Sequence, residues 1–180
     1  MFVVDANVLI EAKNRYYAFD IAPGFWTWLE RAHALDLVCS IDAVRDELLA
    51  GDDELATWAE QHRRFFSPLD QRSVDQFSAL TAWVNSRDYV PSARSAFTGS
   101  DADYLLVAFA GAHGHVVVTH EQPSPEGRKR VKIPDACAAM GVSTIDTFGM
   151  LRGTEARLVL ADEAVGDQRS ASPTIPGLEF

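Results

Sequence analysis

The opening stretch, Met1 to Ile10, constrains the fold more than any other. Phe2, Val3 and Val4 form a short apolar, β-favouring run, Asp5 closes it, and a helix-compatible segment from Val8 to Lys13 follows at once. In an open parallel α/β sheet the carboxyl ends of the strands line the binding crevice, so an acid ending the first strand points a carboxylate into it. Taken alone, Asp5 reads more simply as the cap of the following helix. Its weight comes from acids in similar places further along the chain.

The second such place is Asp101-Ala-Asp103, followed by the apolar run to Ala110, the turn Gly111 to Gly114 and the strand His115 to Thr119. Ser100 and Asp103 have capping-box spacing, which offers a structural reason for Asp103, and Asp101 suits the positive end of the helix dipole. Val116 to Val118 is unbroken apolar sequence, as a fully buried parallel strand requires, and it ends in Thr119-His120-Glu121. A fourth acid, Glu47, flanks the apolar stripe Ile41, Val44, Leu48 of a helix spanning Ile41 to Leu49, with Ser40 as its cap.

The remaining segments read as follows. A helix runs from about Phe25 to Ala34, with Trp26, Leu29 and His33 on one face, so its aromatics are core or a partner surface. Leu35 to Ser40 is either a short strand or the tail of that helix. Asp52 or Asp53 caps a helix reaching about Phe65, and Leu69 to Asn85 supplies another with Val74, Phe77, Leu80 and Val84 in register. Residues 86–99 read as a loop. Ile133 to Met140 is a short helix, Val142 to Ile145 a last strand and Asp146 to Leu151 a short helix. From Glu155 onward acids outnumber bases, and residues 166–177 have the composition of a flexible tail.

A chain of 180 residues suits one domain. It has no basic-then-apolar leader and no bilayer-length apolar run, which implies a soluble, cytoplasmic protein without membrane contact. Cys39 and Cys137 match no zinc spacing and read as buried, reduced thiols. The net charge of −10 argues against a polyanion partner unless the acids hold a cation. Converging carboxylates repel, and hard oxygen donors suit Mg²⁺ or Mn²⁺, which would draw phosphate, activate water and stabilise a leaving oxygen. Arg128, Lys129, Arg130 and Lys132 cluster in a Pro- and Gly-rich segment, either as a solvated loop or as a phosphate-contacting lip.

Four blocks now carry a resemblance: Asp5 to Ile10, Ile41 to Leu48, Asp103 to Ala110 and Val117 to Glu121. In order, they resemble the acid-bearing blocks of the PIN-domain nucleases, the VapC-like toxins in particular, across about residues 1–152. The aromatic segment from Tyr16 to Trp28 and the acidic tail, residues 153–180, resemble a larger PIN-like subgroup instead of the compact toxins. The resemblance implies a three-layer α/β/α fold with a central parallel sheet and a metal-dependent endoribonuclease activity, with RNA as substrate, a protein antitoxin as partner and a homodimeric state. It implies that Asp5, Glu47, Asp103 and Glu121 are metal-site acids, with Asn7 and Thr119 holding carboxylates or substrate. Asp101 competes with Asp103 for the third acid position, and Glu121 is one methylene longer than the Asp usual there, so its metal contact is direct or through water. Arg128, Lys129 and Arg130 are the substrate-binding candidates.

Other classes compete. One is a catalytically degenerate PIN-like module binding a protein through Trp26, Trp28 and the tail. An Asp-x-Asp phosphatase is disfavoured because Asn7 occupies the second acid's place. Zinc at His113, His115 and His120 lacks a supporting motif. No Gly-rich phosphate loop with its Lys is present.

Overall fold

The computed structural model describes residues 1–99 and 101–159. The tail beyond Leu158 and Val159, and the capping role expected of Ser100, lie outside the described residues.

Five parallel strands form the centre: β1 (Phe2–Val4), β2 (Val38–Ile41), β3 (Phe66–Ser67), β4 (Val116–Val118) and β5 (Thr144–Ile145). They lie in the order β3-β2-β1-β4-β5. Val3 faces Cys39 on one side and Val117 on the other, so β1 is the middle strand. All four residues of β2 are buried, and Val3 and Val4 are buried in succession. Because neighbouring residues point to opposite faces, both faces of the sheet are covered, which is why these strands read as continuous apolar runs. The fold is an α/β/α sandwich with a central parallel sheet, as expected.

The chain leaves β1 in one direction for β2 and β3, and in the other for β4 and β5. The switch in order therefore falls between β1 and β4, where an open sheet parts its helices and leaves a crevice at the carboxyl ends. Asp5 stands at the end of one of these two strands, and Thr119 to Glu121 follow the other.

Ten helices complete the described chain: α1 (Ala6–Glu11), α2 (Pro23–Ala34), α3 (Asp42–Leu49), α4 (Glu54–Gln61), α5 (Gln71–Asp75), α6 (Phe77–Ser86), α7 (Pro91–Phe97), α8 (Ala102–His113), α9 (Ile133–Ala139) and α10 (Thr147–Gly153). In addition, α1 runs on into a π-helical turn, Ala12–Tyr16, and a 3-10 turn, Arg63–Phe65, precedes β3. No helix among the described residues is long and apolar enough to cross a membrane. Cys39 and Cys137 are both free and buried.

Several expectations need correction. Ser40 does not cap α3. It is a residue of β2, and its buried Oγ donates to Val4 O at 2.6 Å, so sheet pairing outweighs its capping tendency and α3 starts at Asp42. The helix expected to reach Phe65 ends at Gln61, because Phe66 pairs with Ser40 as a short edge strand. Of its two candidate caps Asp53 is the one used, accepting from Leu55 N and Ala56 N.

The single helix expected over Leu69 to Asn85 is two. Gln76 N bonds back three residues to Ser73 O, which tightens the turn and re-aims the chain, leaving Val74 exposed. Residues 86–99 contain α7, a helix that Pro91 starts and that Ala93 and Phe97 anchor in the core. Trp26 is buried against Phe19 and Trp58 and donates to Tyr17 O, so it is core and not a partner surface.

The turn expected at Gly111 to Gly114 belongs mostly to α8, which ends only where Gly114 takes a left-handed φ of 64°. Gly111, inside the helix, has ordinary space for a methyl group beside Val142. Gly111→Ala is therefore expected to stabilise the fold by about 0.5–1 kcal/mol, and Gly114→Ala to destabilise it by about 1 kcal/mol, in urea titrations.

Candidate active site

Asp5 is almost fully buried at the mouth of the crevice, 2% exposed. Its backbone N–H continues the sheet to Val118 O, and its carboxylate accepts from Thr119 Oγ at 3.0 Å and from Asn7 N at 3.4 Å. It both caps α1 and faces the other acids, so the two readings of this residue coincide. Thr119 also accepts from Glu121 N at 3.1 Å, and one hydroxyl thus ties the two acidic positions together. The Asn7 side chain is at the surface, and among the described residues only its backbone touches Asp5.

Asp101 caps α8 by accepting from Asp103 N at 2.9 Å, which turns Asp103 into the crevice on the first turn. Sequence spacing offered Ser100 for this role, and the structure assigns it to Asp101. Glu47 stands at the rim on α3, close enough to Asp103 and Asp101 for their charges to raise its own carboxyl, although desolvation is the larger cause.

The acids of four separate segments feel one another. Burial pushes the Asp5 carboxyl up to about 7, the charges of Asp103 and Glu121 push the same way, and the bonds from Thr119 and Asn7 oppose them. Asp103 is pushed up to about 6, first by burial and then by Asp101 and Glu121, with Arg130 pulling down. Asp101 is raised chiefly by burial.

Glu121 differs from the others because it is already compensated. It accepts from Lys132 Nζ at 2.9 Å and Ile133 N at 2.9 Å, and Arg130 lies 3.2 Å away. Arg130 also reaches Asp103 at 3.3 Å and so bridges two acids from opposite walls. Among the described residues, no three His, Cys, Asp or Glu side chains stand together as a ready metal cage. The crevice is a set of mutually repelling carboxylates with Arg130 between two of them.

Lys129 and Arg130 line a cavity of about 380 Å³ with Asp101, Asp103 and the exposed Ala96 of α7. Arg128 is not brought there, because it faces Asp88 and lines a separate hollow beside Arg87. A larger cavity of about 520 Å³, lined by Glu30, His33, Trp58 and Phe65, lies away from the acids, since His33 bonds Val38 O at the start of β2.

Sequence reasoning did not assign a role to Lys132, although the charge run contained it, and no sequence signal marked Ile133 N as a partner of Glu121. It also missed the chain Glu11–His120–Thr147, in which both ring nitrogens are bonded at 2.7 Å. That arrangement requires three segments to meet, and spacing carries no trace of it.

Fold and crevice together define a three-layer α/β protein with carboxylates at the switch point of its sheet. A family model described as "Domain of unknown function (DUF4411)" matches residues 2–158, and the chain belongs to that family. No curated protein matches it. Among solved structures it is similar to FitAcB from Neisseria gonorrhoeae, at 16% identity and a TM-score of 0.49, over 81% of this chain and 96% of that one. It is also similar to FitAB bound to an IR36 DNA fragment, at 15% identity and a TM-score of 0.50, over 81% and 94% of the two chains. At such identities the second likeness concerns the fold alone.

The raised carboxyls have a consequence for stability. Asp5 and Asp103 keep protons in the folded chain at pH values where the unfolded chain has lost them, so folding stability falls as pH rises from about 4 to about 7. In chelator-treated protein the thermal midpoint is expected to be higher at pH 5 than at pH 8. Asp5→Asn should raise the midpoint at pH 8 by at least about 4 °C and flatten its dependence on pH.

Proposed function

We propose that this chain is a Mg²⁺- or Mn²⁺-dependent endoribonuclease, acting in the cytoplasm as the toxin of a type II toxin–antitoxin pair, with a protein antitoxin as partner and a homodimeric state. One observation carries the nuclease reading: Asp5, Asp103 and Glu121, from three separate segments, lie close enough at the crevice between β1 and β4 for their charges to act on one another, with Asp101 and Glu47 near Asp103. The likeness of the four acid-bearing blocks to VapC-like toxins supplies the toxin assignment. FitAB, which shares the fold, is a complex seen with a DNA fragment.

The donor set fits a hard divalent cation, since it consists of carboxylate oxygens whose repulsion in a desolvated pocket a cation would relieve. Asp5 and Asp103 would hold the ion, with Asp101 and Glu47 beside them and Glu121 reaching it directly or through water. When bound, such an ion polarises a phosphodiester and activates water. The chain's own residues do the rest. Thr119 and Asn7 N fix the Asp5 carboxylate in one orientation. Lys129 and Arg130 sit where a phosphate backbone would pass, and Arg130 exchanges its carboxylate partners for phosphate as substrate enters.

The paired state of Glu121 favours a second reading, a catalytically degenerate PIN-like module that binds a protein without turnover. Calorimetric titration with Mn²⁺ separates the two. The nuclease binds the ion, and Asp5→Asn or Asp103→Asn abolishes both binding and RNA cleavage, the latter by on the order of 100-fold or more, with the far-UV spectrum unchanged. Undiminished cleavage by Asp5→Asn contradicts the nuclease reading.

A further inference from the structure

Beyond the end of β4 lies a cavity of about 320 Å³ whose lining includes Glu11, Tyr16, His120, Gln122, Thr147 and Phe148. Its floor residue His120 stands between Thr119, which holds Asp5, and Glu121. Cavity and crevice therefore share the carboxyl edge of β4.

Tyr16 is 53% and Phe148 48% exposed, and they are the only aromatic residues among the exposed large hydrophobics of the described chain. Their ring centroids lie 6.5 Å apart at an interplanar angle of 70°, an edge-to-face pair lining the cavity. Both are held by features that core packing does not require. Tyr16 ends the π-helical turn Ala12–Tyr16, a rare conformation that concentrates at functional sites. Behind it, Tyr17 stacks flat on buried Phe25 with centroids 4.2 Å apart. Phe148 sits on the first turn of α10, which Asp146 caps through Gly149 N. A Cβ on Gly149 would stand 2.3 Å from the Ile145 side chain, so the glycine lets α10 lie close against β5.

The floor is polar and immobilised. His120 is locked between Glu11 Oε and Thr147 Oγ at 2.7 Å on each side, and Gln122 and Asp146 leave hydrogen-bonding groups at the rim. Arg15, 67% exposed and 3.7 Å from Glu11, places a positive charge at the same edge of a chain whose net charge is −10. Exposed rings beside the polar groups of Gln122 and Asp146, with the Arg15 cation at the edge, match an unstacked nucleobase and its phosphate, which offer a flat face, hydrogen-bonding edges and a negative charge.

We infer that Tyr16 and Phe148, over the His120 floor, form a stacking subsite for one unpaired base of a single-stranded RNA entering the acid crevice. This rests on the nuclease reading for its substrate class, and the following experiment separates the two.

Fluorescence anisotropy of a labelled single-stranded oligoribonucleotide, in chelator so that nothing is cleaved, reads the affinity of the full chain. Tyr16→Ala with Phe148→Ala is expected to weaken binding on the order of 5- to 100-fold, and Tyr16→Phe with Phe148→Tyr to retain it within about threefold. Both side chains are exposed, so an unchanged urea midpoint is the folding control. In oligonucleotides with single abasic positions, one position should cost the wild type as much as the alanine pair does, and cost the alanine variant nothing more.

Affinity unchanged in the alanine variant, absence of RNA binding by the wild type, or strictly additive losses at every position overturns the subsite, including the case in which this face takes a protein. Cleavage of the same oligonucleotide with Mn²⁺, compared between wild type and Asp5→Asn, reports on the nuclease reading independently. Asp5-dependent cleavage with unchanged affinity in the alanine variant removes the subsite and leaves the nuclease. Pair-dependent binding without cleavage leaves the subsite and removes the nuclease.

Discussion

The burial of one carboxylate organises the site. β1 is paired on both sides and covered on both faces, so whatever residue ends it is carried into a desolvated crevice. Here that residue is Asp5. Its charge is costly there unless hydrogen bonds, a proton or a cation offset it, and two hydrogen bonds, from Thr119 and Asn7 N, do not bring its pKa back to the ordinary range. The same desolvation acts on Asp103 across the gap. A fold that places two such groups opposite each other stores an electrostatic demand that a divalent ion is well suited to meet.

The basic side chains show how the chain meets part of that demand itself. Lys132 and Ile133 N neutralise Glu121, while Arg130 divides its guanidinium between Glu121 and Asp103. In the first arrangement the Glu121 carboxylate is nearly enclosed, and in the second the Arg130 side chain is exposed. The site is thus graded, with Glu121 the most fully paired acid at one wall and Asp5 and Asp103 the carboxyls that burial raises furthest at its centre. A net charge of −10 does not describe this cavity, where Lys129 and Arg130 stand beside Asp101 and Asp103.

Much of the frame was legible in sequence because it follows from periodicity. Two apolar runs, Phe2–Val4 and Val116–Val118, announced buried parallel strands with acids at their ends, while the three-layer arrangement came from the resemblance of the four acid-bearing blocks. Thr119 was legible only through the resemblance, which implied that it holds a carboxylate, and its hydroxyl donates to Asp5. What failed to show did so for identifiable reasons. Ser40 has a helix-capping side chain but is held in β2 by a partner strand too short to see, Phe66–Ser67. α7 is rich in Ser and Arg and reads as loop, although Ala93 and Phe97 anchor it. Tyr16 and Phe148 lie far apart in the chain and meet only because a π-helical turn and the close packing of Gly149 bring them together.

The most direct test of the central claim is anomalous diffraction from a crystal soaked in Mn²⁺. A single strong peak within coordination distance, about 2.0–2.4 Å, of carboxylate oxygens from Asp5 and Asp103, with Arg130 displaced from Asp103, is the expected result. A map with no peak in the crevice at saturating Mn²⁺, and Arg130 still bridging Asp103 and Glu121, would contradict the account.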